Sequence, residues 1–213
     1  MRLARLILWF ERRPLLRFVL ALIALLPACF VTWYFLGATL AAPSALLADA
    51  MLGLWLPGVV AETRLTGTEF MVLSRYGEVG GRFYPAEEAG NQLAYPINTR
   101  TLSYSMPFFA ALYLATPVRG GIDRFAWSFL ALWLLLALGL VATTLKNYLL
   151  SMGDAFIALD GVPPAAAIAL AYQFSTLMVP PLAPVVLWAY AVGDSSAFRG
   201  LFTGVESPEN ATD

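Results

Sequence analysis

The sequence contains no histidine. That removes the commonest general base near neutral pH and the commonest metal ligand. A single cysteine, Cys29, excludes an intrachain disulfide framework. No stretch has metal-ligand spacing, and none has the glycine-rich form of a phosphate loop. Gly80-Gly81 and Gly120-Gly121 read as turns instead. Charge is scarce too: 13% of the 213 residues, where ordinary soluble proteins carry about 25%. The net charge of -1 gives no footprint for nucleic acid. The expectation is therefore no cofactor, no metal, no nucleic-acid partner and no enzyme.

What is abundant is apolar surface. Hydrophobic residues make up 60% of the chain, and the mean hydropathy is +0.71. They fall in long runs, so the bilayer is the first expected partner. The expected fold class is an all-α polytopic membrane protein of about four transmembrane helices, with a small extracytoplasmic loop containing a β-hairpin.

Residues 1–17 are basic and cytoplasmic or interfacial, with five arginines against Glu11. Pro14 marks the bend into the membrane. A first span follows at 18–40, with Pro27 inside it and Trp33 and Tyr34 near its outer end. Residues 41–60 are apolar but hold Asp49 and end in Pro57-Gly58. A mid-membrane charge costs at least ~2.5 kcal/mol, so an interfacial or re-entrant helix is expected there.

Residues 61–101 form the main polar loop, with four arginines balanced by five glutamates. Strand-like pieces in 63–77, a turn at Gly77 and a second strand near Val79–Tyr84 predict a hairpin. Alternation places Arg64, Thr66, Thr68 and Phe70 on one face unless Gly67 bends the strand. The second span is read at 102–116, the third at 125–145 and the fourth at 165–192. A loop at 146–164 joins the last two, and 193–213 is a polar tail. Lys and Arg concentrate in short segments on one side when the N-terminus is inside. Both termini are then cytoplasmic, in a bacterial inner membrane.

No catalytic constellation stands out. Cys29 lies in an apolar run with no histidine to activate it. The candidate contact residues lie in the polar loop: Arg64, Glu69, Arg75 and Tyr76. Asp49, Asn98, Arg100 and Gln173 are the candidate lining of a polar groove. Gln173, Ser175 and Thr176 also give the fourth span a polar patch able to bond another helix. A homo-oligomer is one way to meet that need.

The order of segments resembles a known family. RRPLLRFVLALIALLPACFVTWY, then GLWLPGVV, a strand-rich loop and INTRTLSYSMPFFAALYLA are similar to the exosortase H-associated membrane proteins. The resemblance covers about residues 12–145. Exosortases are themselves polytopic and are proposed to process C-terminal sorting tails with a cysteine, an arginine and a histidine. This chain has no histidine, and its cysteine lies in the first span. The resemblance therefore implies an accessory that partners an exosortase or its tagged substrate, not a transpeptidase. The alternatives are a small oligomeric transporter or lipid-handling protein, and a degenerate sortase-like enzyme.

Overall fold

The computed structural model describes residues 14–117, 121–195 and 198. The basic segment 1–13 and most of the tail lie outside the described residues. The first element is one helix, α1 (Pro14–Trp55), 42 residues long and therefore about 63 Å in length. The break expected between a span at 18–40 and a separate piece at 41–60 does not occur. Pro43 removes one backbone donor, but the alanine- and leucine-rich run around it favours helix strongly. Asp49 is exposed and accepts a 2.8 Å hydrogen bond from Thr63 Oγ1, so it does not interrupt the helix.

The far half of α1 buries Gly37, Ala41, Ser44, Ala45, Ala48 and Leu52. They recur at helical spacing, and most are small, which lets neighbouring backbones approach closely. This stripe packs against α4 (Ser105–Ala115) and α5 (Ile122–Met152). At the crossing, Trp133 Nε1 donates to Leu40 O at 2.9 Å and Ser44 Oγ donates to Trp133 O at 2.8 Å. Other indoles also link separate elements. Trp33 Nε1 donates to Ser103 Oγ at 3.1 Å, and Trp188 Nε1 to Thr116 Oγ1 at 2.8 Å. A buried indole N–H needs such a partner, and here each partner lies on another segment.

Between α1 and α4 the chain forms five strands, more than the single hairpin expected. β1 (Val60–Thr66), β2 (Glu69–Ser74) and β5 (Ala94–Asn98) make an antiparallel sheet in the order β1-β2-β5. β3 (Tyr76–Val79) and β4 (Arg82–Pro85) make a separate hairpin. Each hairpin closes on two residues. Gly67, with φ 59°, leads the Gly67-Thr68 turn, and Gly80 and Gly81, with φ 60° and 78°, form the other. These positive angles suit glycine and twist the strands correctly.

This register corrects one expectation and realises the exception attached to another. Gly77 is not a turn; it lies within β3. Gly67 does reverse the strand, so Arg64 and Phe70 do not share a face. Arg64 is opposite Met71, while Phe70 is opposite Leu65 and is buried. Phe70, Val72 and Ser74 turn inward from β2, and Ile97 joins them from β5.

A short helix, α2 (Ala86–Ala89), bridges β4 and β5, and α3 (Arg100–Ser103) leads into α4. The segment read as a second span gives only the 11-residue α4, about 16 Å, roughly half a hydrocarbon core. After α5 come α6 (Asp154–Ile157), α7 (Ala165–Gln173), a π-helical turn (Phe174–Met178) and α8 (Val179–Val192). The loop expected from residue 146 begins later, because α5 continues to Met152. Three helices among the described residues are long and apolar enough to cross a membrane: Pro14–Trp55, Ile122–Met152 and Ala165–Val192.

Candidate functional site

The strands form a polar cap fixed to the helices by a partly polar seam. Tyr148 of α5 is fully buried and sits edge-on to Tyr95 of β5, 4.8 Å between ring centres. Phe156 stacks on the same ring at 5.3 Å. The Tyr95 hydroxyl is hydrogen-bonded to Ser151 Oγ. Burial raises the pKa of Tyr95, with the Ser151 bond acting the other way. Gln92 Nε2 donates to Ser74 O at 2.6 Å, and Ser74 Oγ accepts from the Tyr76 backbone N–H at 3.0 Å. Thus β5, β2 and the start of β3 are held at one junction.

On this cap lies an open groove of about 810 Å³. Arg75, Tyr76, Glu87, Asn91 and Gln92 line it, together with Gly58 and Ala61. Three contacts build its walls. Arg75 N donates to Val59 O at 2.8 Å, and Ala86 N donates to Arg75 O at 2.8 Å. Asn91 closes the third side: its Oδ1 accepts from Glu78 N and its Nδ2 donates to Glu78 O, both at 2.9 Å. Gly77 makes this closure possible. A Cβ there would stand 2.2 Å from Asn91 O and 2.7 Å from Ala89 Cβ.

The groove holds a cation and an anion that do not pair with each other. Arg75 Nε donates to Pro57 O at 2.8 Å, which orients the guanidinium and leaves its Nη groups for an incoming acceptor. Glu87 is in no ion pair among the described residues. The lining is mixed rather than apolar, which suits a polypeptide segment better than an apolar small ligand.

Of the four loop residues singled out from sequence, the groove brings together Arg75 and Tyr76. Arg64 and Glu69 stand elsewhere. Arg64 is exposed on β1 and forms a bidentate pair with Glu62, at 2.6 and 2.9 Å. That bond lowers the Glu62 pKa and raises that of Arg64. Glu69 is exposed at the start of β2, opposite Asn98. Glu87, Asn91 and Gln92 were missed because YPAEEAGNQLAYP reads only as a broken loop. The one signal there was Gly90, whose φ of 67° ends α2.

Asp49, Asn98, Arg100 and Gln173 do not form one groove. Asp49 is tied to Thr63. Asn98 Oδ1 accepts from Arg100 N at 3.0 Å, so these two are neighbours. Gln173 is exposed at the end of α7, just before the π-helical turn. Cys29 is half-buried on α1 and makes no hydrogen bond or ion pair among the described residues.

A second cleft is apolar. It measures about 390 Å³ and lies between α5 and the α7–α8 helix. Leu138, Val141, Leu145, Ile168 and Phe174 line it, with Trp55 at its side. Trp55 Nε1 is anchored to Gly161 O at 3.0 Å.

The sequence model of the family described as exosortase H-associated membrane protein matches residues 12–194. No curated protein and no solved structure matches the chain.

Proposed function

The chain belongs to the family of exosortase H-associated membrane proteins, and from that premise we propose that it is a non-enzymatic accessory of an exosortase-type sorting system. The polar cap is its recognition element, and the Arg75–Glu87 groove takes a segment of the exosortase or of its tagged substrate. The observation that carries this reading is the groove itself. It is a mixed-charge surface, built on strands and fixed to apolar helices through the Tyr95–Tyr148 seam. A rigid support of this kind lowers the ordering cost of binding an extended partner.

The proposed setting is the bacterial inner membrane, with both termini cytoplasmic and the cap on the far side. In this arrangement α3 and α4 together return the chain as a short fourth span, after α1 and before α5. Short spans of this type are accommodated by local thinning of the bilayer.

The test is in-cell crosslinking followed by purification of the tagged full chain in mild detergent. Recovery of an exosortase or a C-terminally tagged exported protein is expected, and replacing Arg75 and Glu87 by alanine should abolish it. Recovery of the chain with itself alone would refute the accessory role.

The apolar cleft favours a second reading, lipid handling. That reading predicts a co-purifying lipid lost when Ala142 and Ala171 are enlarged to tryptophan, with no protein partner.

A further inference from the structure

Arg100 occupies the point where the polar cap gives way to the apolar α4. Its backbone is pinned on both sides. Asn98 Oδ1 accepts from Arg100 N, and the preceding Thr99 donates through both N and Oγ1 to Thr68 O at 2.9 Å. Its guanidinium lies over the ring of Tyr34 on α1, 4.3 Å from Cζ to the centroid. Nη2 donates to Tyr34 O at 3.1 Å. Gly37, one turn further along α1, leaves the space: a Cβ there would meet Thr68 Cγ2 at 3.2 Å and Arg100 Nε at 3.7 Å.

The charge meets the Tyr34 ring and carbonyl but no anion among the described residues. Arg100 has no carboxylate partner among the described residues. Its Nε is buried without an acceptor among the described residues. Arg124, by contrast, is answered by Asp194 at 3.0 Å. An arginine at an apolar boundary is expensive unless an anion meets it. The surface beside it is apolar and open: Val31, Tyr34 and Phe35 are 56%, 55% and 77% exposed. Cation and greasy face together match an amphiphile with an anionic head. Aromatic residues at the same junction (Trp33, Tyr34, Tyr104) suit headgroup depth.

We propose that Arg100, held over Tyr34 in the slot left by Gly37, binds the phosphate of an anionic glycerophospholipid whose chains lie along Val31 and Phe35. This site is separate from the Arg75 groove and does not depend on the accessory reading. Arginine suits it because the planar fork meets phosphate oxygens in pairs.

The test is native mass spectrometry of the full chain in detergent, titrated with phosphatidylglycerol. Arg100→Gln should weaken retention of the lipid about tenfold or more, the loss of one charge-assisted contact. Arg100→Lys, which keeps the charge but not the fork, should fall between. Arg124→Gln, outside the site, should bind as the parent does. Excess inorganic phosphate should compete only weakly, because the acyl chains contribute. Unchanged lipid retention in folded Arg100→Gln would overturn the proposal. So would equal loss in Arg124→Gln, or full displacement by inorganic phosphate, which would mark a free-anion site. If Arg100→Gln fails to fold, Arg100→Lys decides: parent-like retention overturns the proposal. Crosslinking of position 100 to an acidic protein segment in place of lipid would also overturn it.

Discussion

Replacing Gly77 by alanine should damage the groove more than any other single methyl on the cap. The added Cβ would lie 2.2 Å from the Asn91 carbonyl, 2.3 Å from its side-chain oxygen and 2.7 Å from Ala89 Cβ. The clash is with backbone, so it is not relieved by a rotamer change. Asn91 must withdraw, and its two 2.9 Å bonds to Glu78 go with it. Two hydrogen bonds at about 1 kcal/mol each, plus about 1 kcal/mol of overpacking, give roughly 3 kcal/mol of local destabilisation. Hydrogen exchange resolves this directly. Peptides spanning 76–92 should exchange roughly a hundredfold faster in Gly77→Ala, the equivalent of that free energy. Gly58→Ala is the matched control, since no atom lies within 4 Å of a Cβ there. Equal exchange in the two variants would refute the assignment of Gly77 as the closure of the groove.

Other consequences are open to measurement. Trp133→Phe removes the bond to Leu40 O and Ser44→Ala removes its reciprocal; each should cost about 0.6–2 kcal/mol, and a double-mutant cycle in detergent should show coupling between them. Tyr95 has its pKa raised by burial above the ordinary 10.0. Its contribution to stability is therefore full below that pH and lost as the pH rises through the folded value. Melting temperatures of the parent and Tyr95→Phe, compared from pH 8 to 12, should converge at the alkaline end; a constant difference would contradict the burial argument. In a Cys29→Ser background, Glu87→Cys should react with a membrane-impermeant maleimide added to intact spheroplasts if the cap is extracytoplasmic. Protection until lysis would reverse the proposed orientation.

The apolar runs made the membrane class legible, because no soluble core needs spans of this length. The second and third long helices, Ile122–Met152 and Ala165–Val192, are also legible from composition, as the spans read at 125–145 and 165–192. The continuity of α1 was not, since Pro43 and Asp49 both signal interruption locally. What overrides them is tertiary: a small-residue stripe against α4 and α5, and Thr63 meeting the carboxylate. Strand positions are partly visible through Thr, Val and Phe, and Gly80-Gly81 reads correctly as a turn, but the turn placed at Gly77 and the strand drawn through Val79–Tyr84 do not hold. Gly67 and Gly77 look alike in sequence, and only register separates a turn from a close approach. Arg75 and Tyr76 are legible as polar residues of the loop, but that they line one groove comes from the fold. Glu87 and Asn91 became site residues only through folding of 85–92 back over β3.

The central claim is that the cap groove meets a partner of the sorting system. A photoreactive amino acid placed at Tyr76, inside the groove, tests it most directly, with Glu62, which pairs with Arg64 outside the groove lining, as the reference position. Irradiation of intact cells should give an adduct from position 76 that contains an exosortase or a tagged exported protein, and none from position 62. Adducts of equal yield from both positions, or only adducts of the chain with itself, would contradict the account.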